Sequence, residues 1–249
     1  MFSFAGKGGV GKTTLSGLLI KIMLENGMKP ILAVDADANA NLNEVLGLPV
    51  CGTLGDAREQ MKTDVGTGMT KDIYIDMKVN ASLVEAEGYD LSVMGRPEGS
   101  GCYCAANTLL TCSIEKLIKN YDFLVVDNEA GMEHLSRLIT KHVDLMIVVT
   151  DSSKRGIAAA RRINELVKEL KITYGKMVTV ANRVIPGQED FVMGLIREEG
   201  MDCAGVIHQD ELISEFDGNG KPTFTLPKES LALADAYKVF EPLLRDYRR

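Results

Sequence analysis

The chain has 249 residues, 45% hydrophobic and 25% charged, a balance that excludes a disordered or membrane-embedded protein and suits one α/β domain. A chain this long buries about 70–75% of its unfolded surface and needs no staples to fold. The formal net charge of −7 argues against nucleic acid as the main partner. No apolar run reaches the roughly 20 residues of a membrane span, and no signal peptide precedes the first motif. A cytoplasmic protein is therefore expected, with its five cysteines reduced.

Phe2–Ala5 reads as a first strand and runs straight into Gly6-Lys7-Gly8-Gly9-Val10-Gly11-Lys12-Thr13-Thr14. The spacing Gly6-x-x-x-x-Gly11-Lys12-Thr13 is a complete P-loop. Its glycines let successive backbone N–H groups turn inward around a polyphosphate, so Gly8, Gly9, Val10, Gly11, Lys12, Thr13 and Thr14 form the expected nucleotide cradle. Lys12 reaches the β- and γ-phosphates, and the Thr13 hydroxyl suits Mg²⁺. A second lysine, Lys7, stands near the start of the loop.

A helix over 13–26 follows, with Leu15, Leu18, Leu19, Ile22 and Met23 at helical spacing and Gly27 where it should stop. Pro30–Asp35 is the second strand and ends in Asp35-Ala36-Asp37. The stretch 37–101 is the least regular, with Asp90–Met94 as its one strand. Beyond it come a helix over 105–119, a strand Phe123–Asp127, a helix over 132–141 and a strand Leu145–Thr150. A helix over 154–170, a strand Met177–Ala181, a helix over 187–199 and a strand Ala204–Ile207 continue the alternation. The last helix, 229–246, carries an apolar stripe expected to pack on the sheet rather than on a membrane. The pattern implies a three-layer α/β fold of the P-loop NTPase kind, with a mainly parallel sheet of about seven strands flanked by helices. No repeat, low-complexity run or Pro/Gly-rich linker divides residues 1–249, so a single domain is expected.

In open α/β sheets ligands bind at the carboxyl ends of strands, which sets Asp35, Asp37 and Asp127 beside the loop. Alone, an aspartate after a strand is usually a cap or turn former. A complete P-loop upstream reverses that balance.

The run GKGGVGKTT, followed by VDAD and then VVDNEAG, resembles the deviant-Walker ATPase class that includes nitrogenase iron protein, MinD/ParA and ArsA/Get3. The resemblance implies that Lys7 reaches across a two-fold homodimer to the partner's ATP. It further implies that Asp35 and Asp127 organise Mg²⁺ and that Asp37 orients or deprotonates the attacking water. Gly131 would sense the γ-phosphate, Asn182 and Arg183 would stand at the adenine, and the segment 206–210, with Ile207 and His208, would run past the base. Many members have proline where this chain has His208.

Cys102 and Cys104 are separated by one residue. On an extended segment their thiols share a face, and a disulfide across so short a spacing would be strained. Thiolates suit a soft four-coordinate metal at about 2.3 Å, but one chain supplies two here. A two-fold dimer supplies four. Two cysteines near a helix start can equally be core residues. Cys51, Cys112 and Cys203 read as core or incidental, His134 as a helix-surface residue or a transient ligand, and His142 and His208 show no ligand-like spacing.

The segment GSGCYCAAN and the run Gly131-Met132-Glu133-His134-Leu135 resemble the CooC-type accessory ATPases that handle nickel for carbon monoxide dehydrogenase, and the related factors for acetyl-CoA synthase. What this implies is an ATP-dependent metallochaperone whose ATP- and metal-promoted dimer carries Ni²⁺ or Zn²⁺ on the four thiolates and delivers nickel to one of those enzymes. An ATP-gated iron–sulfur reductase like nitrogenase iron protein is one alternative, disfavoured because its cluster cysteines lie far apart in sequence. A MinD/ParA-like positioning ATPase is another, disfavoured by the acidic balance and the lack of a clear anchor.

Overall fold

Phe2 and Phe4 point to one side of the first strand and Ser3 and Ala5 to the other, and all are buried, which is what a central strand covered on both faces requires. In the computed structural model, which describes residues 1–63, 68–95, 104–129, 142–170 and 172–248, that strand is β1 (Phe2–Gly6). It is followed by α1 (Lys12–Glu25), β2 (Ile31–Ala36), α2 (Leu42–Leu46), α3 (Leu54–Thr63) and α4 (Lys71–Ala81). Then come β3 (Val84–Ala86), β4 (Tyr89–Val93), α5 (Cys104–Ile118), β5 (Phe123–Asn128) and β6 (His142–Thr150). The chain continues through α6 (Lys154–Glu169), β7 (Thr173–Val184), α7 (Glu189–Glu198), β8 (Cys203–His208), α8 (Glu211–Gly218) and α9 (Leu231–Leu244).

Among the described residues, eight strands form one sheet in the order β3-β4-β2-β5-β1-β6-β7-β8. Every pair is parallel except the β3–β4 hairpin. All seven expected strands are present. The eighth, β3, is three residues long and pairs Ala86 with Tyr89 across Glu87-Gly88, where Gly88 takes φ +83°, a turn conformation that favours glycine.

Helices cover both faces. On one, α1 and α9 bury Leu15, Leu19, Ile22, Leu233, Phe240 and Leu244 against Phe2, Phe4, Ile31 and Val180. Phe4 and Phe240 meet edge to face at 6.2 Å. The opposite face divides in two. Leu32, Val34 and Val126 pack with α3, α4 and α5, while Val143, Met146 and Val148 pack with α6 and α7. The last helix therefore spends its stripe on the sheet, although its first residue, Leu231, is 42% exposed.

The described part of 37–101 holds more regular elements than expected, since α2, α3, α4 and β3 all lie in it. In α4 the buried side chains are Tyr74, Ile75 and Val79, while Ile73 and Met77 are exposed, so apolar residues on both faces blur the helical period. The short helix α8 was not expected either. Asp210 caps it by accepting the Leu212 N–H at 2.9 Å, and none of its residues is buried. The helix expected over 132–141 lies outside the described residues. No described helix is long and apolar enough to cross a membrane.

Candidate nucleotide site

The P-loop joins β1 to α1 at the carboxyl edge of the sheet, where the α1 N-terminus adds its unpaired N–H groups and positive dipole end. It lines an open cleft of about 1150 Å³ through Gly8, Gly9, Gly11, Lys12, Thr13 and Thr14, and Asp37 lines the same cleft. A second recess of about 310 Å³ shares Thr14 and Arg183 with this cleft and is lined by Asn182, His208 and Gln209. The cleft thus has a polyphosphate arm and a smaller lateral arm.

Two side chains from the end of β7 tie the loop down. Asn182 Nδ2 donates to Val10 O at 2.8 Å, and the Arg183 guanidinium donates to Gly9 O at 3.1 Å. Arg183 has φ +57°, an uncommon conformation for a residue with a side chain. Gly11 stands directly against this anchor. Its φ is +92°, and a Cβ there would lie 2.3 Å from Asn182 Nδ2. Gly11→Ala is expected to cost about 1–3 kcal/mol of stability through strain and to weaken ATP binding at least about tenfold by expelling Asn182. Thermal denaturation and calorimetric titration check both effects, and unchanged values would show that the loop accepts a side chain there.

Lys12 is 8% exposed and its Nζ donates to the Lys7 carbonyl at 3.3 Å. Burial lowers its pKa, while the charges of Asp127, Asp37 and Glu129 pull it back up. Lys7 is exposed, and its ammonium has no carboxylate partner among the described residues.

Asp35 and Asp127 are register neighbours on β2 and β5, both buried. Burial, with the neighbouring Asp35 charge adding to it, pushes Asp127 up to about 7. The Thr13 and Ser16 hydroxyls hold it down, Ser16 Oγ donating to Asp127 Oδ1 at 3.3 Å. Burial likewise lifts Asp35 to about 6. Asp35 nonetheless turns to the backbone: Oδ1 accepts the Asp37 N–H at 3.0 Å and Oδ2 the Leu42 N–H at 2.8 Å. It pins the 37–42 loop and the start of α2. Asp37 in turn accepts the Asn39 N–H at 2.8 Å.

One expectation needs correction. Ile207 is fully buried in the core, because alternation along β8 turns it away from the recess, and it lines neither arm of the cleft. Cys104 is the first residue of α5. Cys102, Gly131 and His134 lie outside the described residues. Cys51 and Cys112 are exposed rather than core. Among the described residues no cluster of three or more His, Cys, Asp or Glu side chains could hold a metal ion.

Sequence reasoning missed Ser16, which bonds both Asp127 and the Lys12 carbonyl. Its position one turn after Lys12 was the available signal. It also missed Glu189 and Asp235, which grip the His208 ring from α7 and α9. Nothing in their spacing from residue 208 announces that contact.

Residues 2–224 match the CobQ/CobB/MinD/ParA nucleotide binding domain. The chain belongs to this family. It is accordingly an ATP-binding ATPase. It is 44% identical to an uncharacterized ATP-binding protein of Methanocaldococcus jannaschii over 98% of this chain and 96% of that one. It is 30% identical to the carbon monoxide dehydrogenase accessory protein CooC of Rhodospirillum rubrum, over 89% of this chain and 88% of that one. Among solved structures, a chain of the MinC:MinD cell division protein complex of Aquifex aeolicus superposes with a TM-score of 0.70 at 19% identity, over 98% of this chain and 95% of that one. That likeness carries the fold and nothing finer.

Proposed function

We propose that residues 1–249 form one ATPase domain that works as a homodimer, binding nickel between its subunits and delivering it to carbon monoxide dehydrogenase or acetyl-CoA synthase. The observation that carries this reading is the 30% identity to CooC across nearly the whole chain. The topology supports it. α5 follows β4 and must run back from the carboxyl edge of the sheet to reach β5, so Cys104 stands at the same edge as the P-loop. A metal held there by Cys102 and Cys104 of both subunits would sense whatever ATP does to the dimer.

In this reading the phosphates of ATP lie along Gly8–Thr14, and Lys12 exchanges the Lys7 carbonyl for phosphate oxygen. Thr13 and Asp127, with Asp35 behind them, offer the hard oxygen donors that Mg²⁺ selects, and the hydroxyl contacts to Asp127 show that group already turned toward the loop. Mg²⁺, when bound, neutralises charge on the β- and γ-oxygens. Asp37 orients the attacking water and takes its proton as the bond between the γ-phosphorus and ADP breaks. Lys7 of the partner subunit supplies positive charge to the transferring phosphoryl group. Gly131 senses the γ-phosphate through its backbone. Adenine enters the lateral recess beside Asn182, Arg183 and His208.

Nickel here is cargo. Zinc accepts the same four thiolates and would compete in purified protein. Metal titration of the wild type and of the Cys102→Ser/Cys104→Ser variant, with oligomeric state followed by sedimentation with and without ATP, tests the reading. One metal per dimer, lost in the variant, is expected. One metal per monomer, bound equally by the variant, would remove the interfacial site.

A further inference from the structure

His208 closes β8 with its ring 14% exposed, Nδ1 2.6 Å from Asp235 Oδ2 and Nε2 2.7 Å from Glu189 Oε1. Asp235 also accepts the His208 backbone N–H at 3.3 Å and, through its other oxygen, Lys238 Nζ at 2.9 Å. Burial alone would raise the Asp235 pKa, but Lys238 and His208 hold it below the usual value. The N–H groups of Gly187 and of Glu189 itself, with the His208 ring, hold Glu189 down to about 2. Both carboxylates are therefore ionised at neutral pH and can only accept. Each contact then requires an N–H on the ring, and a neutral imidazole has one. The ring is an imidazolium that ties α7 to α9 at the end of β8.

From this ring a chain of contacts leads to the phosphate loop. Glu189 Oε1, which accepts from His208 Nε2, also accepts the Gly187 N–H at 3.0 Å. The Gln188 N–H closes a turn on Ile185 O at 3.1 Å, with Pro186 and Gly187 (φ +86°) at its centre. The Gln209 N–H donates to Val184 O at 3.0 Å. Residues 184–189 are thus held at both ends by residues 208 and 209. Immediately before them stand Asn182 and Arg183, the two side chains that grip Val10 O and Gly9 O. Arg183 keeps this grip at φ +57°, a conformation that persists only where the surrounding structure imposes it.

We propose that His208 is a positioning residue for the phosphate loop: its charged ring, clamped between Glu189 and Asp235, braces the 184–189 turn so that Asn182 and Arg183 hold Gly9 and Val10 in the phosphate-binding conformation. It acts through this brace and not through contact with the nucleotide. This rests on the placement of the phosphates along Gly8–Thr14 in the reading above.

A pH dependence follows from the same geometry. Burial by itself would lower the His208 pKa, but the hydrogen bonds and charges of Asp235 and Glu189 outweigh it, so the net shift is upward. The brace is complete below the ordinary histidine value of 6.5 and is lost as pH rises through the folded value, when a bare nitrogen faces a carboxylate. The other charged groups nearby are committed elsewhere or lie at the rim. Lys238 is spent on Asp235, Asp210 on Ser230 Oγ and the N–H groups of Leu212 and Ala232, and Arg183 on Gly9 O, while Asp217 lines the edge of the recess.

Calorimetric binding of inorganic tripolyphosphate and of a non-hydrolysable ATP analogue, each with Mg²⁺, between pH 6.5 and pH 9.5 tests the brace. At pH 6.5 the wild type is expected to bind both ligands about three- to tenfold more tightly than His208→Gln, the worth of one hydrogen-bonded contact. That advantage should vanish by pH 9.5. Glu189→Gln, which keeps the ring and an acceptor for Gly187, should move the midpoint of the loss to lower pH. In ¹⁵N spectra one of the three histidines should carry protons on both ring nitrogens at pH 7. The amide nitrogens of Val10 and Gly11, which follow the gripped carbonyls, should titrate with the same midpoint in the wild type and not in His208→Gln.

A His208→Gln protein that binds tripolyphosphate as the wild type does at pH 6.5 would overturn the proposal. Weakening of the ATP analogue alone would overturn it too, by placing the ring against the base instead. A lower melting temperature with Val10 and Gly11 signals that do not follow the ring would show a merely structural staple and sink it likewise. If Lys12→Ala leaves tripolyphosphate affinity unchanged, the placement of the phosphates falls, and the brace with it.

Discussion

Lys7→Ala is expected to keep ATP affinity within about threefold, to lose ATP-induced dimerisation and to lower turnover by about 10³-fold or more, the range seen when a cationic finger delivered in trans is removed. The two loop lysines are physically unlike. Lys12 is 8% exposed and its ammonium lies against the loop's own backbone, which in the proposed reading leaves it to the phosphates of its own subunit. Lys7 contributes its carbonyl to that contact while its side chain is exposed and lacks a carboxylate partner among the described residues. A long cation left in water at the mouth of a phosphate cleft repels its own kind and attracts a triphosphate. In the proposed homodimer, two facing subunits would therefore approach favourably with nucleotide bound and unfavourably without it. Sedimentation velocity with a non-hydrolysable ATP analogue, beside steady-state phosphate release, checks the expectation. Unchanged turnover together with an unchanged dimer fraction would place Lys7 outside the chemistry.

The nucleotide engine was legible in the sequence because its signal is local. A P-loop is contiguous, and β1, β2 and β5 announce themselves as apolar runs ending in Asp35 and Asp127. The elements that were missed are those whose stability is tertiary. β3 exists because Gly88 permits a tight turn beside β4, and α4 exists because Tyr74, Ile75 and Val79 are buried in the cluster it shares with α3 and α5 although Ile73 and Met77 are exposed. Roles that depend on a distant partner were equally hidden. The sequence shows an aspartate at position 35 but not that both its oxygens are committed to the backbone of residues 37 and 42. It shows a histidine at 208 but not the carboxylates brought to it from α7 and α9, 19 and 27 residues away. Ile207 misled for a simpler reason: adjacent residues of a strand face opposite ways, so a segment running past a ligand offers only alternate side chains to it.

Asp127→Asn is expected to make the nucleotide-free protein more stable at pH 8 while reducing Mg²⁺-dependent hydrolysis about 10–100-fold, the usual consequence of damaging a metal-orienting group. Asp127 is 1% exposed and shares its register position with buried Asp35. Burial raises both, Asp127 to about 7 and Asp35 to about 6, from an ordinary value of 3.8. The folded protein thus holds protons that the unfolded chain has released, so the sign is fixed: stability falls as pH rises from about 4 through about 7 and stays low above that. At 1.36 kcal/mol per unit, the Asp127 shift corresponds to about 4 kcal/mol of destabilisation once the group is ionised. An asparagine carries no such charge and keeps an oxygen to accept from Ser16. A gain of about 1–3 kcal/mol at pH 8, amounting to roughly 2–12 °C in melting temperature, should therefore vanish at pH 4, where the wild-type carboxyl is already neutral. ATP with Mg²⁺ should stabilise the wild type and do much less for the variant, because the ion that compensates the buried charges in one finds a neutral amide in the other. Scanning calorimetry of both proteins at pH 4 and pH 8, with and without nucleotide, separates the two effects. Equal melting temperatures at pH 8 without nucleotide would mean that Asp127 is not strained by its burial and that the site does not draw on it to attract Mg²⁺.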